Sequence, residues 1–196
     1  MGNNEENKLE YRMYFLVLYN ISDIQKGIQA GHAALEYAHS FNDDEEYQRF
    51  VKYHKTWIIL NGGTSNENGK TVYSPKPIDV GSMELYHIQL NEFGIKHACF
   101  YEPDLNNSLS AISLLADERV YNKKDYPDLY EFYINGFTGE LDNIEQYTEI
   151  TETINHKNAK EIIPERYPKF YLKWINSLGG MKNVYLREFL GTKRLA

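Results

Sequence analysis

Cysteine is all but absent from this sequence. The single residue, Cys99, excludes a disulfide within the chain and fits a reducing compartment. Long hydrophobic runs are missing too. Stretches such as Trp57-Ile58-Ile59-Leu60 fall far short of the roughly 20 residues that cross a bilayer. The first residues, Met1 to Lys8, are polar and acidic, without the basic and apolar stretches of a secretory leader. Glu6 stands where a myristoylation signal needs Ser or Thr. The expectation is a cytoplasmic protein with no membrane partner.

Positive charge is in deficit as well. The net charge is −7 over 196 residues, a balance that argues against general nucleic-acid binding, and no DNA partner is expected. The deficit is uneven. From His156 to Ala196 nine Lys and Arg stand against three Glu, a local +6 that leaves −13 for the rest of the chain. Such a tail either packs on its own acidic body or touches RNA phosphate.

What remains is ample for a core, since 42% of residues are hydrophobic. The 17 tyrosines, with abundant Asn, are what AT-rich codons produce, and they point to a phage or a low-GC bacterium as the source. Tyr14 to Tyr19 is a continuous run suited to a buried strand. Asn20, Ser22 and Asp23 offer caps for a helix from Gln25 to Phe41, with Ile28, Gly31, Leu35 and Ala38 as its core-facing stripe. Asn42-Asp43-Asp44 caps a second helix, Glu45 to Lys55, with Tyr47, Phe50, Val51 and His54 on one face. Trp57 to Leu60 predicts a second strand, and Thr71-Val72-Tyr73 a short returning one. Ser82 caps a helix closed by Gly94. Ala98 to Glu102 and Leu109 to Leu115 predict two further strands. Beyond Val120 the chain turns aromatic and helical. The expected segments there are Tyr126 to Tyr133, a helix capped by Asp142 and ending near Asn155, and Tyr167 to Leu178, broken by Gly179-Gly180 and resuming to Leu190.

Two segments carry chemistry. Gln25-Lys26-Gly27-Ile28-Gln29-Ala30-Gly31-His32-Ala33-Ala34 opens the first helix, and Glu102-Pro103-Asp104-Leu105-Asn106-Asn107-Ser108-Leu109-Ser110-Ala111 joins the last two strands. Gln29 and His32, three residues apart, share a helix face. His32 or Asp104 can take a proton from water. Lys26, Gln29 or Ser108 can donate to a carbonyl or a ribose.

Together the two segments resemble the type-two peptidyl-tRNA hydrolases. That family has Gln, a small pair and His-Ala on its first helix, matched here by Gln29, Ala30-Gly31 and His32-Ala33. It also has an Asp four residues before a Thr in the turn entering its last strand, matched by Asp104 and Ser108, with Ser110 the alternative if the register slips by two. The family's Lys four residues before the Gln is Gln25 here, with Lys26 adjacent. The resemblance spans roughly residues 12–118. It implies catalytic roles for His32, Asp104, Gln29, Ser108 and Lys26, no metal, no organic cofactor, and a tRNA partner recognised at its acylated CCA end.

The expected fold is therefore α/β: a three-layer α/β/α domain with a four-stranded mixed sheet over residues 1–120, and a helical addition over 121–196. The expected function is hydrolysis of the ester of peptidyl-tRNA or a related acyl-tRNA. The alternative is a hydrolase-like module that has lost catalysis and binds a tRNA end or a protein, as a phage accessory factor would. The oligomeric state is left open, a dimer included.

Three other patterns carry less. His32, Glu36 and His39 have helical spacing for a metal but no third supporting element. Gly63 to Thr71 approximates a phosphate-binding loop but has Thr64 at the first glycine and no following helix. Tyr167, Phe170, Tyr171 and Trp174 form an aromatic stripe that reads as core before it reads as a base-stacking surface.

Overall fold

A computed structural model of the chain describes residues 9–66, 81–137 and 154–196. The expected strand at Thr71–Tyr73, the helix capped by Asp142 and most of the Gly63–Thr71 loop lie outside these. The chain divides into two compact units. Unit 1 comprises residues 1–118 and 188–196, and unit 2 comprises residues 119–187.

Unit 1 is an α/β layer structure. β1 (Tyr11–Leu18), α1 (Asp23–Phe41), α2 (Glu45–Arg49), a π-helical turn (Phe50–His54), β2 (Thr56–Gly63), α3 (Ser82–Glu92), β3 (His97–Glu102) and β4 (Ser108–Asp117) follow in order. The mixed sheet has the order β2-β1-β4-β3, with β1 parallel to β2 and β4 antiparallel to both β1 and β3. The two central strands carry the unbroken apolar runs. All ten residues of β4 are buried, as expected of a strand covered on both faces.

Alternation along the strands sorts the layers. Met13, Phe15 and Val17 of β1, Ala98 of β3, and Ala111 and Leu115 of β4 form one core with Ala30, Ala33 and Tyr37 of α1. α3 packs over the other face, across β1, β2 and β4. The approach there is close: a Cβ on Gly62 would come within 2.2 Å of Met83 Sδ and 3.2 Å of Leu16 Cβ.

Local details depart from the sequence expectation. The buried stripe of α1 is Gln29, Ala30, Ala33 and Tyr37. Ile28 is 51% and Leu35 69% exposed. The sheet selects the face with two alanines, because small side chains let the helix seat closely, so the larger aliphatics turn outward. The second helix changes pitch at Phe50, with Lys55 N–H bonded to Phe50 O at 3.1 Å. That wider turn keeps Phe50 buried and leaves Val51 40% exposed. Ser82 does not cap α3. Gly81 holds the cap position, while the Ser82 hydroxyl accepts from Thr64 N–H at 2.9 Å and donates to Gly62 O at 2.7 Å. The last residues, 194–196, pair with the free edge of β2 through Asn61 N–H to Arg194 O at 2.9 Å and Ala196 N–H to Ile59 O at 3.1 Å.

Unit 2 is helical. Its elements are α4 (Glu118–Tyr121), α5 (Leu129–Phe137), α6 (Ala159–Arg166), α7 (Pro168–Ser177) and the start of α8 (Met181–Gly191). Leu129, Tyr133, Ile163, Trp174, Ile175 and Leu178 lead its core, and Tyr167, Phe170 and Tyr171 pack against them. The aromatic stripe is therefore core. Gly179, at φ +82°, takes left-handed backbone that disfavours a side chain, and a Cβ there would also have to displace the Arg119 guanidinium, 2.2 Å away.

No helix among the described residues is long and apolar enough to cross a membrane.

Candidate functional site

β1, β2 and β3 run in the same direction, so their carboxyl ends share one end of the sheet with the start of α1. Ligands in open α/β sheets favour this end. A cavity of about 360 Å³ opens there, lined by Leu18, Asn20, Thr64, Ser65, Asp104 and Ser108 among others.

The β3–β4 turn that supplies Asp104 and Ser108 is built by its own sequence. Pro103 starts a short 3₁₀ turn, the Glu102 side chain caps it by accepting Asp104 N–H at 3.4 Å, and Asn106 and Asn107 take left-handed backbone at φ +54° and +53°. The Ser108 hydroxyl donates to Leu105 O at 2.7 Å. The Asp104 side chain is exposed and hydrogen-bonds none of the described residues.

Gln29 stands behind this turn. It is 6% exposed. Its amide donates to Glu102 Oε2 at 2.5 Å and accepts from Ser110 Oγ at 2.5 Å. A buried amide satisfied at both ends fixes α1 against β3 and β4. Ser110, the alternative hydroxyl, is thus the one that meets Gln29, while Ser108 faces the cavity. Ser113 adds a third tie, donating to Ala33 O at 2.8 Å.

At the helix start, Gln25 closes a capping box with Ser22. That is the use of the residue standing where the resemblance expects Lys. Lys26 lies on the sheet-facing side, its side chain only 17% exposed, and pairs with Asp23 at 3.0 Å. His32 sits nearly two turns further along α1 than Lys26. Its ring stacks on Phe100 with centroids 4.4 Å apart and planes 13° apart, and it hydrogen-bonds none of the described residues.

Of the five residues singled out from the sequence, Asp104 and Ser108 thus line the cavity. Gln29 reaches their turn through Glu102, and neither His32 nor Lys26 is among the lining residues. Sequence reasoning passed over Glu102, whose role depends on a partner 73 residues away. Side chains able to hold an ion together, His87, His97 and Cys99, lie away from this cavity, between α3 and β3.

Charge follows the units rather than the sequence halves. Residues 119–187 contain ten Lys and Arg and ten Asp and Glu, so the whole −7 belongs to unit 1. No family model and no curated protein matches this chain.

Proposed function

We propose that unit 1 takes the acylated CCA end of a tRNA at the cavity beside Asp104 and hydrolyses the ester joining the acyl group to the terminal ribose. The observation that carries the reading is the Asp104 carboxylate, unengaged by the described residues, on the wall of an opening at the carboxyl end of the sheet. In this reading Asp104 takes a proton from water, and the water oxygen bonds to the ester carbonyl carbon. The tetrahedral oxyanion then collapses, and the C–O bond to the ribose breaks. The ribose oxygen recovers the proton, leaving a free acid and a deacylated tRNA. Ser108 can donate to a developing oxyanion or a ribose hydroxyl by turning its proton from Leu105 O, and Lys26 by leaving Asp23. The free N–H groups at the start of α1 favour the terminal phosphates. Gln29 is a positioning residue: it holds Glu102, which caps the turn bearing Asp104. His32 is the second group able to carry a proton.

The test is turnover of an N-blocked aminoacyl-tRNA. Asp104→Ala and His32→Ala are each expected to cut it by about 10²-fold or more, and chelators to leave it unchanged. Parental turnover that Asp104→Ala does not alter would sink the assignment.

A second reading, a non-catalytic module that holds a tRNA end or a protein, is favoured by two observations. The amide of Gln29 is fully engaged inside the protein, and unit 1 carries all of the net negative charge, which opposes nucleic acid. Tight binding of the deacylated and acylated tRNA without turnover would select it.

A further inference from the structure

His97 and Cys99 are two apart on β3, so both project to the face opposite Ala98 and Phe100, which join the α1 core. β3 is an edge strand, and on that face it meets His87 of α3. His87 Nδ1 lies 2.8 Å from His97 Nε2 and 3.2 Å from Cys99 Sγ. The three ligand atoms all fall within 4.8 Å of one another, and each residue is half-buried. We propose that His87, His97 and Cys99 form a site for a thiophilic divalent transition ion, with zinc as its natural occupant and a fourth position open to water.

The donor set and its geometry both fit. Zinc takes imidazole nitrogen at about 2.0–2.1 Å and thiolate at about 2.3 Å in a tetrahedron. Neighbouring ligand atoms then stand about 3.4 Å apart for two nitrogens and about 3.6 Å for nitrogen and sulfur. His87 Nδ1 stands about 0.6 Å closer to His97 Nε2 and about 0.4 Å closer to Cys99 Sγ than that, and the third pair lies within 4.8 Å, so modest side-chain rotations reach the tetrahedron. Three protein ligands with an open position is the arrangement of solvent-accessible zinc, and two imidazoles with one thiolate exclude the hard cations, which prefer oxygen.

The surroundings orient the ligands. His97 Nδ1 is 2.8 Å from Ile95 O. A carbonyl only accepts, so Nδ1 carries the proton and Nε2 keeps its lone pair for the ion. His87 Nε2 is 3.2 Å from the Asn91 amide nitrogen, which donates to it, and His87 Nδ1 donates to His97 Nε2 at 2.8 Å. An ion taking that proton's place needs the ring proton on Nε2, which turning the Asn91 amide over would accommodate by presenting its oxygen. Burial disfavours the charged form of both imidazoles, for His87 with added repulsion from His97. Burial also pushes the Cys99 thiol up to about 12. Only a bound cation brings it to thiolate near neutrality, and binding releases that proton. Glu84, one helical turn before His87, keeps a buried carboxylate oxygen without a hydrogen bond and offsets part of the added positive charge.

Titration of the reduced, chelator-stripped full chain with cobalt(II) tests this. The expected result is one cobalt per chain, with the visible bands of tetrahedral cobalt and a near-ultraviolet thiolate-to-cobalt band, both removed by equimolar zinc. The thiolate band has one source, because the chain has one cysteine. Zinc at 100-fold over its dissociation constant is expected to raise the melting temperature of the parent by about 5–10 °C. Cys99→Ala should abolish the thiolate band and His97→Ala should weaken cobalt binding at least tenfold, while His39→Ala, on the exposed face of α1, changes neither. The parent alone decides the matter if a variant fails to fold. Absence of a thiolate band and of a zinc-dependent melting shift overturns the site. Bands that survive Cys99→Ala and vanish with His39→Ala overturn it in favour of the α1 histidines.

Discussion

The two units hold themselves together by different means. Unit 1 is a sheet whose central strands are buried on both faces, and its polar interior consists of short ties from α1 to the strands: Gln29 to Glu102 and Ser110, and Ser113 to Ala33. Each tie bridges segments more than 70 residues apart. Unit 2 has no strand among its described residues. Its aromatic core is locked by one buried cation, Arg187, whose side chain is 5% exposed and donates to Asp128 at 2.7 Å, Arg119 O at 2.8 Å and Tyr126 O at 2.5 Å. Where helices alone must be oriented, a guanidinium with five fixed donors can bind several loop carbonyls at once. In a sheet the backbone ladder already fixes the relative placement of the strands.

Core truncation should hurt both units by similar, large amounts. Phe15→Ala in unit 1 and Trp174→Ala in unit 2 are each expected to cost about 3–5 kcal/mol. Trp174→Ala also orphans Pro127 O, which its indole N–H reaches at 3.1 Å. Amide-exchange protection within each unit reads the loss; a Trp174→Ala cost under about 1 kcal/mol would mean that the aromatic core is not what holds unit 2.

The next step separates the units. Arg187→Met should cost about 2–4 kcal/mol, because two carbonyls and a carboxylate lose their donor together. Burial raises the Asp128 carboxyl, but hydrogen bonds from Lys123 and Arg187 and the charge of Arg187 outweigh it and hold the carboxyl below its usual range. A depressed carboxyl stabilises above its unfolded value and loses that contribution as pH falls through the folded one. Unit 2 should therefore weaken below about pH 4, and the slope should shrink in Arg187→Met. An unchanged acid slope would assign it to other carboxylates.

Unit 1 has a smaller counterpart. Asp44 caps α2, accepting Glu46 N–H at 3.0 Å and Tyr47 N–H at 3.2 Å, and pairs with Lys96. Burial again raises its carboxyl and Lys96 with the two amides lowers it further. Asp44→Ala should cost about 1 kcal/mol, the ordinary value of a cap, measured by urea denaturation. A loss above about 3 kcal/mol would show that the pair with Lys96 dominates the cap.

The sequence was legible where local chemistry decides. The four strands, a cap among Asn20, Ser22 and Asp23, the Gly94 stop and the break at Gly179-Gly180 follow from runs and turn residues, and the structure has them, with Ser22 as the cap. It misled where packing chooses between plausible faces. Ile28 and Leu35 make the more hydrophobic stripe on α1, yet the sheet takes Ala30 and Ala33 because they let the helix approach. Of the candidate site residues, Asp104 and Ser108, both on the second segment, line one cavity, while Gln29, His32 and Lys26 of the first do not. The wiring was not legible: Gln29 to Glu102, or His87 to His97 and Cys99, exists only once the strand order is set. The signal for the histidine–cysteine group was the alternation of His97 and Cys99 on an edge strand. Nothing local links it to a histidine ten residues earlier.

The smallest expected effect concerns charge. Read along the chain, the last forty residues look basic; read by unit, unit 2 is balanced and the net −7 lies in unit 1. Lys169, Lys173 and Lys182 are exposed on unit 2, while the aromatic residues interleaved with the first two face its core. A surface of lysines without aromatic faces has no means to stack bases, and balanced charge gives little long-range attraction. The triple variant with all three changed to Ala should therefore keep its stability within about 0.5 kcal/mol and leave the salt dependence of any tRNA binding unchanged. If these lysines neutralise phosphates, the slope of log affinity against log salt should flatten by about 0.7–0.9 for each phosphate that loses its lysine. A change approaching two or more in that slope would return unit 2 to the tRNA interface.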